Sequence, residues 1–127
     1  MPITEVRFYQ EADGTVPVME WIDGLSKKIR NKCHAYVNRL TAEGHMLRRP
    51  TAAPLRDKIH ELRLRHQGVH YRILYFFYGQ GVAVLAHGCT KEGAVADTDI
   101  KCAIRRRQNY IEDPTAHTYK DRGGEGD

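Results

Sequence analysis

Arg63, Arg65, Arg72 and Lys91 are the residues whose types and spacing point to chemistry. Arg63 and Arg65 fall on one side of the alternating stretch IHELRLRH (59–66). Arg72 sits inside the apolar run VHYRILYFFY (69–78), and Lys91 follows VAVLAHG (82–88). If these stretches pair as a meander, Arg63, Arg72 and Lys91 converge on one open face of a sheet. Such a cluster suits RNA cleavage without a metal, in which a ribose 2′-hydroxyl attacks the adjacent phosphorus. Preorganised cations stabilise the charge that grows on the phosphoryl oxygens, and Arg binds phosphate through two parallel hydrogen bonds. A base must take the 2′-hydroxyl proton and an acid must protonate the leaving 5′-oxygen. Glu61, His60, His70, His87, Tyr71 and Tyr110 are the candidates for proton transfer. Arg65, His60, His70, Arg106 and Tyr110 are the candidates for RNA contact.

Each residue also has a plainer reading. Arg63 and Arg65 fit a solvated strand face. Arg72 is harder to place so, because a charge inside HYRILYFF must be paired or face a polar surface. Tyr71 and Tyr75 share parity with Ile73 and Phe77, which suits core packing. His87 suits a hydrogen-bonded sheet residue. Lys101, Arg105, Arg106 and Arg107 suit the solvated side of a helix. His60, His66 and His70 match no metal-binding spacing, and no Cys-x-x-Cys occurs, so neither a metal nor another cofactor is expected.

The elements that must position these groups follow from periodicity. Residues 3–9 alternate as an opening strand. Pro17 suits a first helical position, and Val18, Trp21, Ile22 and Leu25 give a short helix over about 17–24. Ser26 is a helix N-cap for a second helix bearing Ile29, Cys33, Tyr36, Val37 and Leu40 on one face, stopped at Gly44. Residues 45–58, with Pro50 and Pro54, read as a loop. The three strands of the meander follow, joined by Gln67–Gly68 and by Gly79–Gly81. Asp97 or Thr98 caps a last helix, to about residue 111, with Ile100, Ala103, Ile104 and Ile111 on its core side. The order is β, α, α, β, β, β, α. It predicts an α+β fold in which a small antiparallel sheet packs on the N-terminal helical pair, leaving the other face for a site. One domain over 1–111 and a polar, flexible tail over 112–127 are expected.

Composition narrows the class of function. A chain of 127 residues, 41% apolar and 28% charged, suits one globular domain. A net charge of +4 and an isoelectric point near 9.1 permit a polyanionic partner. Cys33, Cys89 and Cys102 form no disulfide framework. Neither a signal-peptide pattern nor an apolar run of about 18 residues is present, so a cytoplasmic location without membrane contact is expected. A simple DNA-binding domain using Lys101 to Arg107 is disfavoured, since no helix-turn-helix pattern is visible.

Residues 54–111 carry a family resemblance. ELRLR at 61–65, YRILYFF at 71–77, and HGCTK at 87–91 followed by Ile100, Ala103 and Arg106, resemble the phage-derived Gp49-like or HigB-like group of the RelE/ParE toxin superfamily. The resemblance implies a RelE-like fold and the toxin of a type II toxin-antitoxin system. It implies a metal-independent, ribosome-dependent endoribonuclease that cuts mRNA and inhibits translation. It also implies a cognate antitoxin, usually of helix-turn-helix type. Carried over to this chain, Arg63, Arg72 and Lys91 become phosphate and transition-state binders, Glu61 a polar catalytic group, and Tyr110 an aromatic near the site. The same superfamily includes non-catalytic binders of gyrase or of an antitoxin. Where relatives read Gly-Phe-x-Lys-Lys, this chain has Gly88, Cys89, Thr90, Lys91 and Glu92, then Val95. Two expected cations are thus missing, and one of them is replaced by a carboxylate.

Overall fold

The computed structural model describes residues 3–91 and 93–120. Strand β1 spans Glu5–Phe8. Helices α1 (Pro17–Asp23) and α2 (Lys27–Glu43) follow, then a single 3₁₀ turn (Gly44–Met46). Strands β2 (Ala52–Pro54), β3 (His60–His66), β4 (Val69–Tyr78) and β5 (Val82–Lys91) precede helix α3 (Asp97–Glu112). The five strands form one sheet in the order β1-β5-β4-β3-β2. The α+β class and the order of the main elements are as the periodicity predicts.

Local chemistry explains most boundaries. Pro17 opens α1, and the Ser26 hydroxyl accepts from the Ile29 amide at the start of α2. Gly44 ends α2 with φ 51°, and a Cβ there would lie 2.2 Å from Thr4 Oγ1. Gln67 and Gly68, at φ 52° and 81°, form the two-residue turn joining β3 to β4.

Four expectations are corrected. The stretch 45–58 is not all loop: β2 pairs antiparallel with β3, Ala53 opposite Glu61. A three-residue strand that ends on Pro54 is too short for a periodic signal. The sheet is mixed, because β1 runs parallel to β5. The rest of the chain up to β5 supplies the long crossover that a parallel pair needs. Helix α3 is capped by Ala96, with no side-chain cap. Asp97 and Asp99 lie inside its first turn, where carboxylates meet the positive end of the helix dipole. Finally, helices cover both faces of the sheet. On one face α1 and α2 bury Val18, Ile22, Ile29, Cys33 and Leu40 against Leu62, Leu64, Ile73, Tyr75 and Leu85. On the other, α3 lays Ile100, Ala103 and Tyr110 on Leu74, Phe76, Val84 and Ala86.

Residues 113–120 lie along β1. The Tyr119 amide donates to Phe8 and the Gln10 amide to His117. The His117 ring stacks on Tyr9 at 5.2 Å. The remainder of the expected tail, 121–127, lies outside the described residues. All three cysteines are free. No described helix is long and apolar enough to cross a membrane.

Candidate nucleic-acid interface

The sheet face that carries α3 is only half covered by it. Strand alternation sets Glu61, Arg63 and Arg65 of β3 on this face, since Leu62 and Leu64 point to the opposite core. Register does the rest. Arg63 is directly opposite Arg72, Arg65 is opposite His70, and Glu61 is opposite Leu74. On the far side of β4, His70 meets Lys91 and Arg72 meets Cys89. The uncovered half of the face is therefore a three-strand patch of Arg63, Arg65, His70, Arg72 and Lys91 around Glu61.

Exposure divides this patch. The Arg72 side chain is 7% exposed and that of Glu61 11%, with Nε and Oε1 3.0 Å apart. The contact is ionic without hydrogen-bond geometry: neither atom has a hydrogen-bond partner. A guanidinium NH of Arg72 donates to the Gly93 carbonyl. Arg63 approaches the other oxygen of Glu61 at 4.0 Å and remains 33% exposed. Lys91 is 41% exposed, with its Nζ 3.6 Å from Asp99 Oδ2. Arg65 is exposed. A slight loss of hydration, then the guanidiniums of Arg72, Arg65 and Arg63, hold the His70 imidazole below its ordinary value of 6.5. The neutral form of His70 is therefore favoured, and its strand neighbours on this face include Arg63, Arg65, Arg72 and Lys91.

Four of the sequence candidates are turned away from this patch. His60 shares parity with Leu62 and faces the helical pair, stacked on Tyr75 at 5.4 Å and edge-on to Phe77. Tyr110 is fully buried. Its hydroxyl accepts from Arg7 at 2.7 Å, and its ring packs against Phe76 and Tyr78. Arg106 points back at the sheet, donating to Glu11 at 3.0 Å, to the Ala86 carbonyl at 2.8 Å, and approaching His87 Nδ1 at 3.1 Å. These are packing and bracing roles. Tyr71 is on the helical-pair face, packed against its core.

The bracing network itself was not legible in the motifs. His87 Nε2 lies 2.7 Å from Asp99 Oδ1. Burial alone depresses the His87 imidazole, and hydrogen bonds to Cys102 and Asp99 overcome this and raise it. Asp99 thereby ties β5 to α3 and sets Lys91 at the patch margin. On the reverse side Gly88 lies under the Trp21 ring, where a Cβ would come within 2.3 Å of Trp21 Cδ2. Trp21 Nε1 donates to Thr90. The glycine of the HGCTK motif thus serves packing. Glu92 lies outside the described residues. Among the described residues no group of three or more His, Cys, Asp or Glu is placed to hold a metal.

A mixed five-stranded sheet with a helical pair on one face, a C-terminal helix on the other and a basic half-face beside it defines a small RelE-like α+β domain. The model of the family described as Phage derived protein Gp49-like (DUF891) matches residues 20–108, well over half of the chain. The chain belongs to this family, which lies within the RelE/ParE-like toxin superfamily. No curated protein matches the chain.

Proposed function

We propose that the protein is the toxin of a type II toxin-antitoxin pair, of the HigB-like kind, and acts as a metal-independent endoribonuclease on mRNA at the ribosome. The observation that carries this reading is the register that sets Arg63 opposite Arg72 and His70 opposite Lys91 on one uncovered face. Arg63 and Lys91 are accessible to a phosphate, and Arg72 adds positive potential from beneath. His70, neutral among cations, takes the 2′-hydroxyl proton. Glu61 is engaged by two arginines and acts as a positioning residue for them. Attack of the 2′-oxygen forms the new bond to phosphorus as the bond to the 5′-oxygen breaks. The 2′-proton passes to His70, the departing 5′-oxygen takes a proton from water, and His70 returns its proton to the resulting hydroxide, which restores the neutral ring. The product ends are a 2′,3′-cyclic phosphate and a 5′-hydroxyl. Family membership supports a cognate antitoxin, of helix-turn-helix type, as partner.

Inducible expression in a bacterium with mapping of mRNA 5′ ends tests this. Growth arrest with new cuts inside translated frames, both abolished by Arg63→Ala, is the expected result. Arrest by Arg63→Ala with no cuts sinks it.

One observation favours a second reading, a non-catalytic binder of gyrase or of an antitoxin. Arg72 is buried and already neutralised by Glu61, which leaves fewer cations for a phosphate. Absence of the protein from sedimenting 70S particles is the outcome that selects this alternative.

A further inference from the structure

Lys101, Arg105 and Arg106 of α3, and Lys91 at the end of β5, are paired within the fold. Glu11 faces Arg105 and Arg106, Asp97 faces Lys101, and Asp99 faces Lys91. The tip of the β3–β4 hairpin is different. Among the described residues, no carboxylate forms an ion pair with Lys28, Lys32, Arg65, His66 or His70. Lys28 and Lys32 are one helical turn apart on α2, so they share a face. Lys32 Nζ lies 3.3 Å from His66 Nδ1, which joins that face to the end of β3. Arg65 and His70 face each other just across the tip. The result is a continuous cationic strip that leaves the uncovered sheet face, rounds the hairpin and climbs the first half of α2.

Two imidazoles report the field along this strip. His66, on the α2 side, is lowered first by slight desolvation and then by Lys32 and Lys28. His70, on the sheet side, is lowered in the same way by three arginines. Both lie where the summed potential is positive.

We propose that the part of this strip beyond the hairpin tip, Lys28, Lys32 and His66, is a second RNA-contact surface, continuous with the edge of the cleavage site at Arg65 and His70, which grips the sugar–phosphate backbone of folded RNA. The proposal rests on the ribonuclease reading. A protein partner fits the strip less well, because a protein interface centres on buried apolar side chains. The exposed large hydrophobic residues, Ile3, Met46, Tyr78 and Ile111, all lie off it. Lysines and an arginine on a convex edge suit phosphates, whose neutralisation releases counterions.

The test uses the full-length chain, with Lys28→Ala and Lys32→Ala combined, and a fluorescein-labelled RNA hairpin across a salt series. Removing two phosphate contacts should weaken binding about tenfold and flatten the dependence of log Kd on log salt by about 1.5. The cleavage rate at saturating ribosomes should be unchanged. An equally charged control, Arg49→Ala with Lys58→Ala, should keep wild-type affinity and slope. If both double variants weaken alike, net charge is the cause and the strip is refuted. It is refuted too if Lys28→Ala/Lys32→Ala binds RNA as the wild type does, including when it has lost a co-purifying protein instead. If the wild type binds RNA and cuts it while the double variant is unaffected, only the strip fails. If the wild type neither binds nor cuts RNA, the ribonuclease reading fails with it.

Discussion

Arg63 and Arg72 stand directly opposite each other in the β3–β4 ladder, and each turns its Nε toward a different oxygen of Glu61, at 4.0 and 3.0 Å. Like charges placed opposite across a ladder repel. The carboxylate between them is what makes the arrangement tenable, and it fixes one guanidinium below the surface while the other stays half open.

Glu61→Gln should therefore destabilise the fold. It leaves Arg72 buried without a counter-charge, which costs about 3 kcal/mol for side chains as enclosed as these. Replacing both partners, Glu61→Leu with Arg72→Met, should cost much less than the single change, because the desolvation penalty goes with the pair. Urea unfolding of the three variants measures this. Equal losses for the single and the double change would show that the pair contributes only packing.

His70→Gln should lower the rate of mRNA cleavage by about 10² or more if the imidazole is the base. The pH profile gives the sign. The neutral ring is the active form and its pKa is lowered from 6.5. Activity should be high at neutral pH and fall as the pH drops below 6.5 through the lowered value. A profile for His70→Gln with the same acid limb as the wild type would assign the proton transfer to another group.

Gly88→Ala should disturb the reverse side of the sheet. The new methyl would meet the Trp21 ring at 2.3 Å, and overpacking of this kind costs about 1–3 kcal/mol. Tryptophan fluorescence should move to the red as the ring is pushed toward water. An unshifted spectrum with unchanged stability would mean that the ring finds another seat.

His60 gives a stability test. Burial, and then the neighbouring His45, hold its imidazole below 6.5. In the unfolded chain the ring takes a proton near 6.5, so the folded state binds fewer protons in the window below that value. The contribution of His60 is complete above about pH 6.5 and is lost as the pH falls toward the folded value. His60→Phe, which keeps the stack on Tyr75, should unfold with a smaller loss between neutral and mildly acid pH. Identical pH slopes for variant and wild type would remove His60 from the account.

The main helices, the meander and the face assignments were legible in the chain, because they follow from two short-range periods and from turn chemistry. Leu62 and Leu64 fix which side of β3 is core, and Arg63 follows by parity. The same parity places His60 on the core side, and the helical stripe of Ile100, Ala103 and Tyr110 buries the tyrosine. Both signals were present, and periodicity applied to those two residues reads them correctly. Tertiary structure alone decided the rest. The edge strand β2 exists only because β3 offers it a partner. The parallel pairing of β1 with β5 joins segments some 77 positions apart in register, and no local pattern encodes such a closure. Whether α3 covers all or half of the second face depends on where Asp99 and Arg106 anchor it to His87. That anchoring, made by side chains distant in sequence, leaves the half-face of Arg63, His70 and Lys91 open.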